Sequence, residues 1–112
     1  MKLIGGSFID ENNLYKQIHI DKSIRLEPGH QVVFVDPYIN SDLDIVLPPV
    51  SDSAFDIIQV IMLGHTAALG GTITIQDRGD SDFTDIDLVA DDEFAVLMST
   101  GIEWKTLESN VT

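Results

Sequence analysis

The chain has 112 residues, 44% of them hydrophobic and 22% charged, which places it with ordinary globular sequences and leaves room for a single core. Nineteen acidic residues against six basic ones give a formal charge of −13, so a nucleic-acid backbone and an anionic membrane are disfavoured as partners, because both call for a basic surface. With no cysteine, a disulfide framework, a thiolate metal site and a cysteine nucleophile are excluded.

Residues 1–13 read as a flexible N-terminal arm. Gly5-Gly6 and Asn12-Asn13 punctuate it, and Leu3, Ile4, Phe8 and Ile9 are the apolar side chains it offers to a neighbouring surface. The arm has one lysine and no apolar stretch of signal-peptide length, and no run of eighteen apolar residues occurs in the chain, so synthesis in the cytoplasm without a membrane span is expected. Residues 14–112 are expected to form one β-domain.

Within that domain, 14–20 is a strand with Ile18 and Ile20 on one face and His19 on the other. A short strand over 23–26 ends at Glu27-Pro28-Gly29, where Pro-Gly suits the middle of a type II turn. Strand 30–35 stops at Asp36-Pro37. The β-branched segment 44–47 stops at Pro48-Pro49. Residues 57–63 form the most apolar run, too short for a comfortable helix, and are expected to be the central strand, buried on both faces.

Glycines bound 64–71, which reads as a loop or a single helical turn. Residues 72–76 alternate, with Ile73 and Ile75 inward, and 77–82 turn the chain. Residues 84–90 alternate again, Ile86 and Leu88 against Asp85 and Asp87. Asp91-Asp92 leads into 93–99, apolar on both faces, and Thr100-Gly101 into a last strand over 102–107 with Trp104 inward. The expected fold is therefore all-β: a small β-sandwich or jelly-roll-like barrel of about eight to nine short antiparallel strands, with no internal repeat.

Little in the residues points to catalysis. His19, His30 and His65 stand in no H-x-H or H-x-x-x-H pair, no G-x-S-x-G elbow occurs, and carboxylates are so abundant that a pair of them discriminates nothing. No enzymatic activity and no cofactor are expected. Asp77, Asp80, Asp82 and Asp85 are weak candidate ligands for a hard cation such as calcium, although the D-x-[DN]-x-[DN]-G order is missing. The same loop spells Arg78-Gly79-Asp80, which resembles integrin-binding adhesion motifs.

Two stretches carry a wider resemblance. The sequence D-I-V-L-P-P at 44–49, with the apolar strand that follows and T-I-T-I-Q at 72–76, is one; F-A-V-L-M-S-T-G-I-E-W-K at 94–105 is the other. Together, over about 43–107, they resemble small trimeric β-domains of tailed-bacteriophage particles: tail fibres, head fibres and capsid decoration (cement) proteins. One departure stands out, Phe55-Asp56, where that class often has glycine before the buried strand. The resemblance implies a non-enzymatic virion protein, a homotrimer on the capsid surface bound to the major capsid protein, with the arm reaching the shell. The alternative it leaves open is a receptor- or carbohydrate-binding β-sandwich of a fibre or tail tip, calcium-assisted.

Overall fold

The computed structural model describes residues 16–36, 42–63, 71–90 and 92–111. Among these residues nine strands carry the fold: β1 (Lys16–Ile20), β2 (Ile24–Arg25), β3 (Gln31–Val35), β4 (Leu43–Val46), β5 (Ile57–Met62), β6 (Ile73–Gln76), β7 (Ile86–Leu88), β8 (Phe94–Ser99) and β9 (Trp104–Ser109). A 3₁₀ turn, Val50–Asp52, follows the proline pair. The expected strands are found in the expected order; 84–90 contracts to the three residues of β7, and the last strand starts at Trp104 because Ile102 lies in the preceding turn. The arm, with Leu3, Ile4, Phe8 and Ile9, and residues 64–70 of the glycine-bounded loop lie outside the described residues.

The strands form two mixed sheets, β1-β3-β5-β8-β9 and β2-β4-β6-β7. The expectation of antiparallel strands is corrected here. Four of the seven ladders are parallel: β1 with β3, β3 with β5, β2 with β4, and β4 with β6. Only β5–β8, β6–β7 and β8–β9 are antiparallel. A parallel pair needs a crossover, ordinarily a helix. In this chain the crossover is a strand of the other sheet, so β1 to β6 wind back and forth between the two sheets, and β7 to β9 close the winding antiparallel. The sheet orders are open, without the antiparallel closure of a jelly roll.

Period-2 alternation explains the core. Val33 and Val35 from β3, Ile58, Val60 and Met62 from β5, and Ala95 and Leu97 from β8 face Leu43 and Ile45 from β4, Ile73 and Ile75 from β6, and Leu88 from β7 in one buried cluster. At about 25 cal/mol per Å², each valine, leucine, isoleucine or methionine among them contributes roughly 1.5–3 kcal/mol. β5 is central, as expected, but buried on one face only: Ile58, Val60 and Met62 are buried, and Ile57, Gln59 and Ile61 are half-buried on the outer side. β8 follows the same rule, with Phe94, Val96 and Met98 outward.

Loop carboxylates and amides hold the turns. Glu93 is buried and its Oε1 accepts hydrogen bonds from the backbone N–H of Val89 (2.7 Å) and Ala90 (3.1 Å). Gln31, also buried, donates from Nε2 to the carbonyls of Glu27 (2.7 Å) and Gly29 (3.0 Å), closing the Pro-Gly turn in which Gly29 has φ of +133°. Only glycine takes that backbone angle without strain.

Candidate functional site: an apolar sheet face and its tip

The loop that looked most like a ligand site is committed to the fold. The Arg78 guanidinium donates from Nε to the Leu47 carbonyl (3.0 Å) and from Nη2 to the Leu26 carbonyl (2.8 Å). It thereby ties together the ends of the segments that continue β4 and β2. Asp80 Oδ2 accepts from the Val50 N–H at the start of the 3₁₀ turn (2.9 Å). Asp77 accepts from the N–H groups of Gly79 (3.1 Å) and Ser81 (3.2 Å) and from Ser81 Oγ (2.8 Å). Asp82 and Asp85 are exposed further along the loop. Among the described residues no group of three or more His, Asp or Glu side chains is placed to hold a metal ion, so no three of Asp77, Asp80, Asp82 and Asp85 converge on one site. An adhesion loop needs a free arginine and a free aspartate; these two side chains face other strands and turns.

His30 is likewise structural, its Nδ1 accepting from the Ile57 N–H (3.0 Å) at the entry to β5. Trp104 is 3% exposed and belongs to the core cluster, so it offers no stacking platform for a sugar; its Nε1 is buried without a hydrogen-bond partner.

What the geometry does assemble is a surface. Register across the five-stranded sheet aligns His19, Phe34, Ile61 and Phe94 in one outward row, Gln17, Val32, Gln59, Val96 and Glu108 in the next, and Ile57, Met98 and Lys105 in a third. Seven of these side chains are large and apolar; Val32 is buried and the other six are half-buried. In a chain of nineteen acids the only carboxylate in the three rows is Glu108, on the edge strand. The His19 and Phe34 rings stack at 4.9 Å between centroids, 27° from coplanar, and extend the apolar surface toward the β1 edge. No described strand lies over this face. A sheet facing water on one side ordinarily alternates with polar residues; this one carries apolar residues on both sides.

The third row ends at a tip built from two turns. An isolated bridge joins Ala54 to Ser99, and the Phe55 N–H donates to the Ser99 carbonyl (2.7 Å). The buried Ser99 Oγ donates to the Val50 carbonyl (2.7 Å) and accepts from the Gly101 N–H (2.9 Å), locking both turns. Each turn then presents one bare apolar side chain: Phe55 is 67% exposed and Ile102 80% exposed. Phe55 also has φ of +67°, a left-handed conformation unfavourable for a bulky residue. The backbone here is of the kind glycine favours, and Phe55-Asp56 is the pair at which the sequence departs from the resemblance. Sequence reasoning misses the face because the continuous apolar runs 57–63 and 93–99 read as apolar on both faces, whereas the burial alternates; the Phe55-Asp56 departure is the visible signal for the tip.

Comparison with known protein families and with curated proteins gives no match.

Proposed function

We propose that this chain is a non-enzymatic structural protein of a tailed-phage particle, a small sandwich-like β-domain that seats its apolar sheet face and tip on the major capsid protein and decorates the shell as a homotrimer. The observation that carries the reading is the apolar face, almost free of carboxylates in a protein of charge −13 and ending in a strained, exposed phenylalanine. Exclusion of charge from the centre of a patch is the compositional mark of a protein interface. Apolar side chains that serve neither the core nor solubility also indicate a partner. The virion and the capsid partner come from the resemblance over about 43–107; the arm residues Leu3, Ile4, Phe8 and Ile9 supply a second contact in the same scheme. Localisation on the capsid surface follows from both.

The test is cosedimentation of the purified protein with shells assembled from the major capsid protein of the same virion. Wild type pellets with shells; Phe94→Asp at the end of the first row and Val96→Asp in the middle row stay in the supernatant while remaining folded. Equal pelleting of these variants rejects the face as the contact. Deleting 1–13 weakens pelleting without unfolding the domain, and full retention removes the arm from the scheme.

A further inference from the structure

The smaller sheet stops one strand short of the larger, four strands against five. The shortfall shows at β9. Pairing with the buried Leu97 and Ala95 puts Thr106 and Ser109 on the core side of that strand, yet both are exposed. An open groove of about 510 Å³ stands where a covering strand would lie, between residues 84–87 and Thr106, Ser109 and Val111. Half-buried Ile86 and Val111 form its apolar floor.

β7 turns a free edge to this groove. The Leu43 N–H donates to the Thr72 carbonyl (2.9 Å) and the Leu47 N–H to the Gln76 carbonyl (2.8 Å), so Thr72, Thr74 and Gln76 direct their backbone groups at β4. Ile73 and Ile75 direct theirs at Leu88 and Ile86 of β7. The N–H and carbonyl of Asp87 therefore point away from β6, and among the described residues no strand pairs with that side. On the outer face of the sheet Asp87 stands in one row with Thr74 and Asp44, its Oδ1 accepting from the Thr74 hydroxyl (2.8 Å), and Asp85 lies two residues before it. The cation among the strand residues of that face is Arg25, on the far edge strand β2, and Arg78 is turned away to the carbonyls of Leu26 and Leu47. Across the groove Lys105 and Glu108 belong to the outer side of β9, and Lys105 Nζ is 3.4 Å from Glu103.

We infer that this groove takes an extended segment of another protein, in which apolar residues alternate with lysine or arginine, as a fifth strand paired with β7. Such a strand meets apolar side chains on its inner side and the Asp85 and Asp87 carboxylates on its outer side, so alternate residues find opposite chemistry. Backbone pairing supplies the affinity, and the carboxylates select a cationic segment over an anionic one. The occupant is neither the arm nor a second copy. No two of the chain's six lysines and arginines stand two positions apart, so no segment of it carries the pattern. The inference does not rest on the capsid reading, which concerns the outer face of the larger sheet.

Titration of the full chain with synthetic peptides, followed by amide NMR and hydrogen exchange, tests this. The probe is a peptide of alternating valine and lysine; the control has the same residues in separate blocks, and so the same charge. The alternating peptide protects the Asp87 amide from exchange and binds at least about tenfold more tightly than the control. Equal affinity overturns the inference, since attraction to a chain of charge −13 then suffices. Asp85→Asn/Asp87→Asn removes two cross-strand charge pairs and weakens the alternating peptide about tenfold. Ser109→Trp removes no charge but fills the groove, and abolishes binding. Unchanged affinity in either folded variant, or shifts confined to the outer face of the larger sheet, overturns the inference. So does an Asp87 amide already protected without peptide, which means that the arm or a second copy occupies the groove. Phe94→Asp binds the peptide as wild type does, so failure here and failure to bind shells are read separately.

Discussion

Phe55 shows how a single residue can cost the fold and serve the surface. Its left-handed backbone and 67% exposure give it neither comfortable geometry nor burial. Replacing it with glycine relieves the backbone, and Phe55→Gly is expected to raise stability by about 1 kcal/mol in urea titration while weakening shell binding. Unchanged stability would show that the turn carries no strain. Arg78 is the opposite case, a residue that looks like a ligand and acts as a tie. Arg78→Ala leaves the carbonyls of Leu26 and Leu47 without their donor and costs about 1–3 kcal/mol. The Arg-Gly-Asp spelling was legible in the sequence, but its partners lie 52 and 31 positions away, and no local pattern connects a loop arginine to carbonyls at that distance.

Among the elements, the strands themselves were legible. β-Branched runs, proline pairs and glycine turns punctuate this chain so regularly that nine strands fall where the pattern puts them. Their direction was not. A hairpin announces itself by a short turn, whereas the parallel pairs here join residues far apart: Lys16 meets Gln31, Gln31 meets Ile58, and Leu43 meets Ile73. Because these offsets are unequal, the winding leaves no repeat in the sequence, which is the usual sign of parallel stacking. The one-sided burial of β5 was hidden for a related reason, since Ile57 and Ile61 are as apolar as the core residues beside them. It yields a sharp contrast. Val60→Thr places a hydroxyl in the core and costs about 1–3 kcal/mol, while the outward Ile61→Thr costs under about 1 kcal/mol. Equal losses in chemical denaturation would mean that the outer face is covered after all.

At the scale of the whole molecule, the chain divides its chemistry by surface. Most of the described aspartates take the loops, where several cap turns, and the three outward rows of the larger sheet carry only Lys105 and Glu108 as charged groups. The overall charge was readable from composition, but this division needs the register, because only strand pairing shows that Val32, Ile61, Phe94 and Val96 share a side. Long-range parallel pairing also slows folding, since loop-closure entropy is lost before contacts form. Refolding after a denaturant jump is therefore expected over milliseconds to seconds in stopped-flow fluorescence of Trp104, and a microsecond phase carrying the full amplitude would contradict this topology. The central claim, that the apolar face is the surface this protein offers to a shell, is tested most directly by cosedimentation of wild type and Phe94→Asp with shells of its major capsid protein, with the solution mass of both measured alongside. The account predicts that the variant keeps the wild-type mass and loses the shell. A variant that keeps its mass and still pellets contradicts the account.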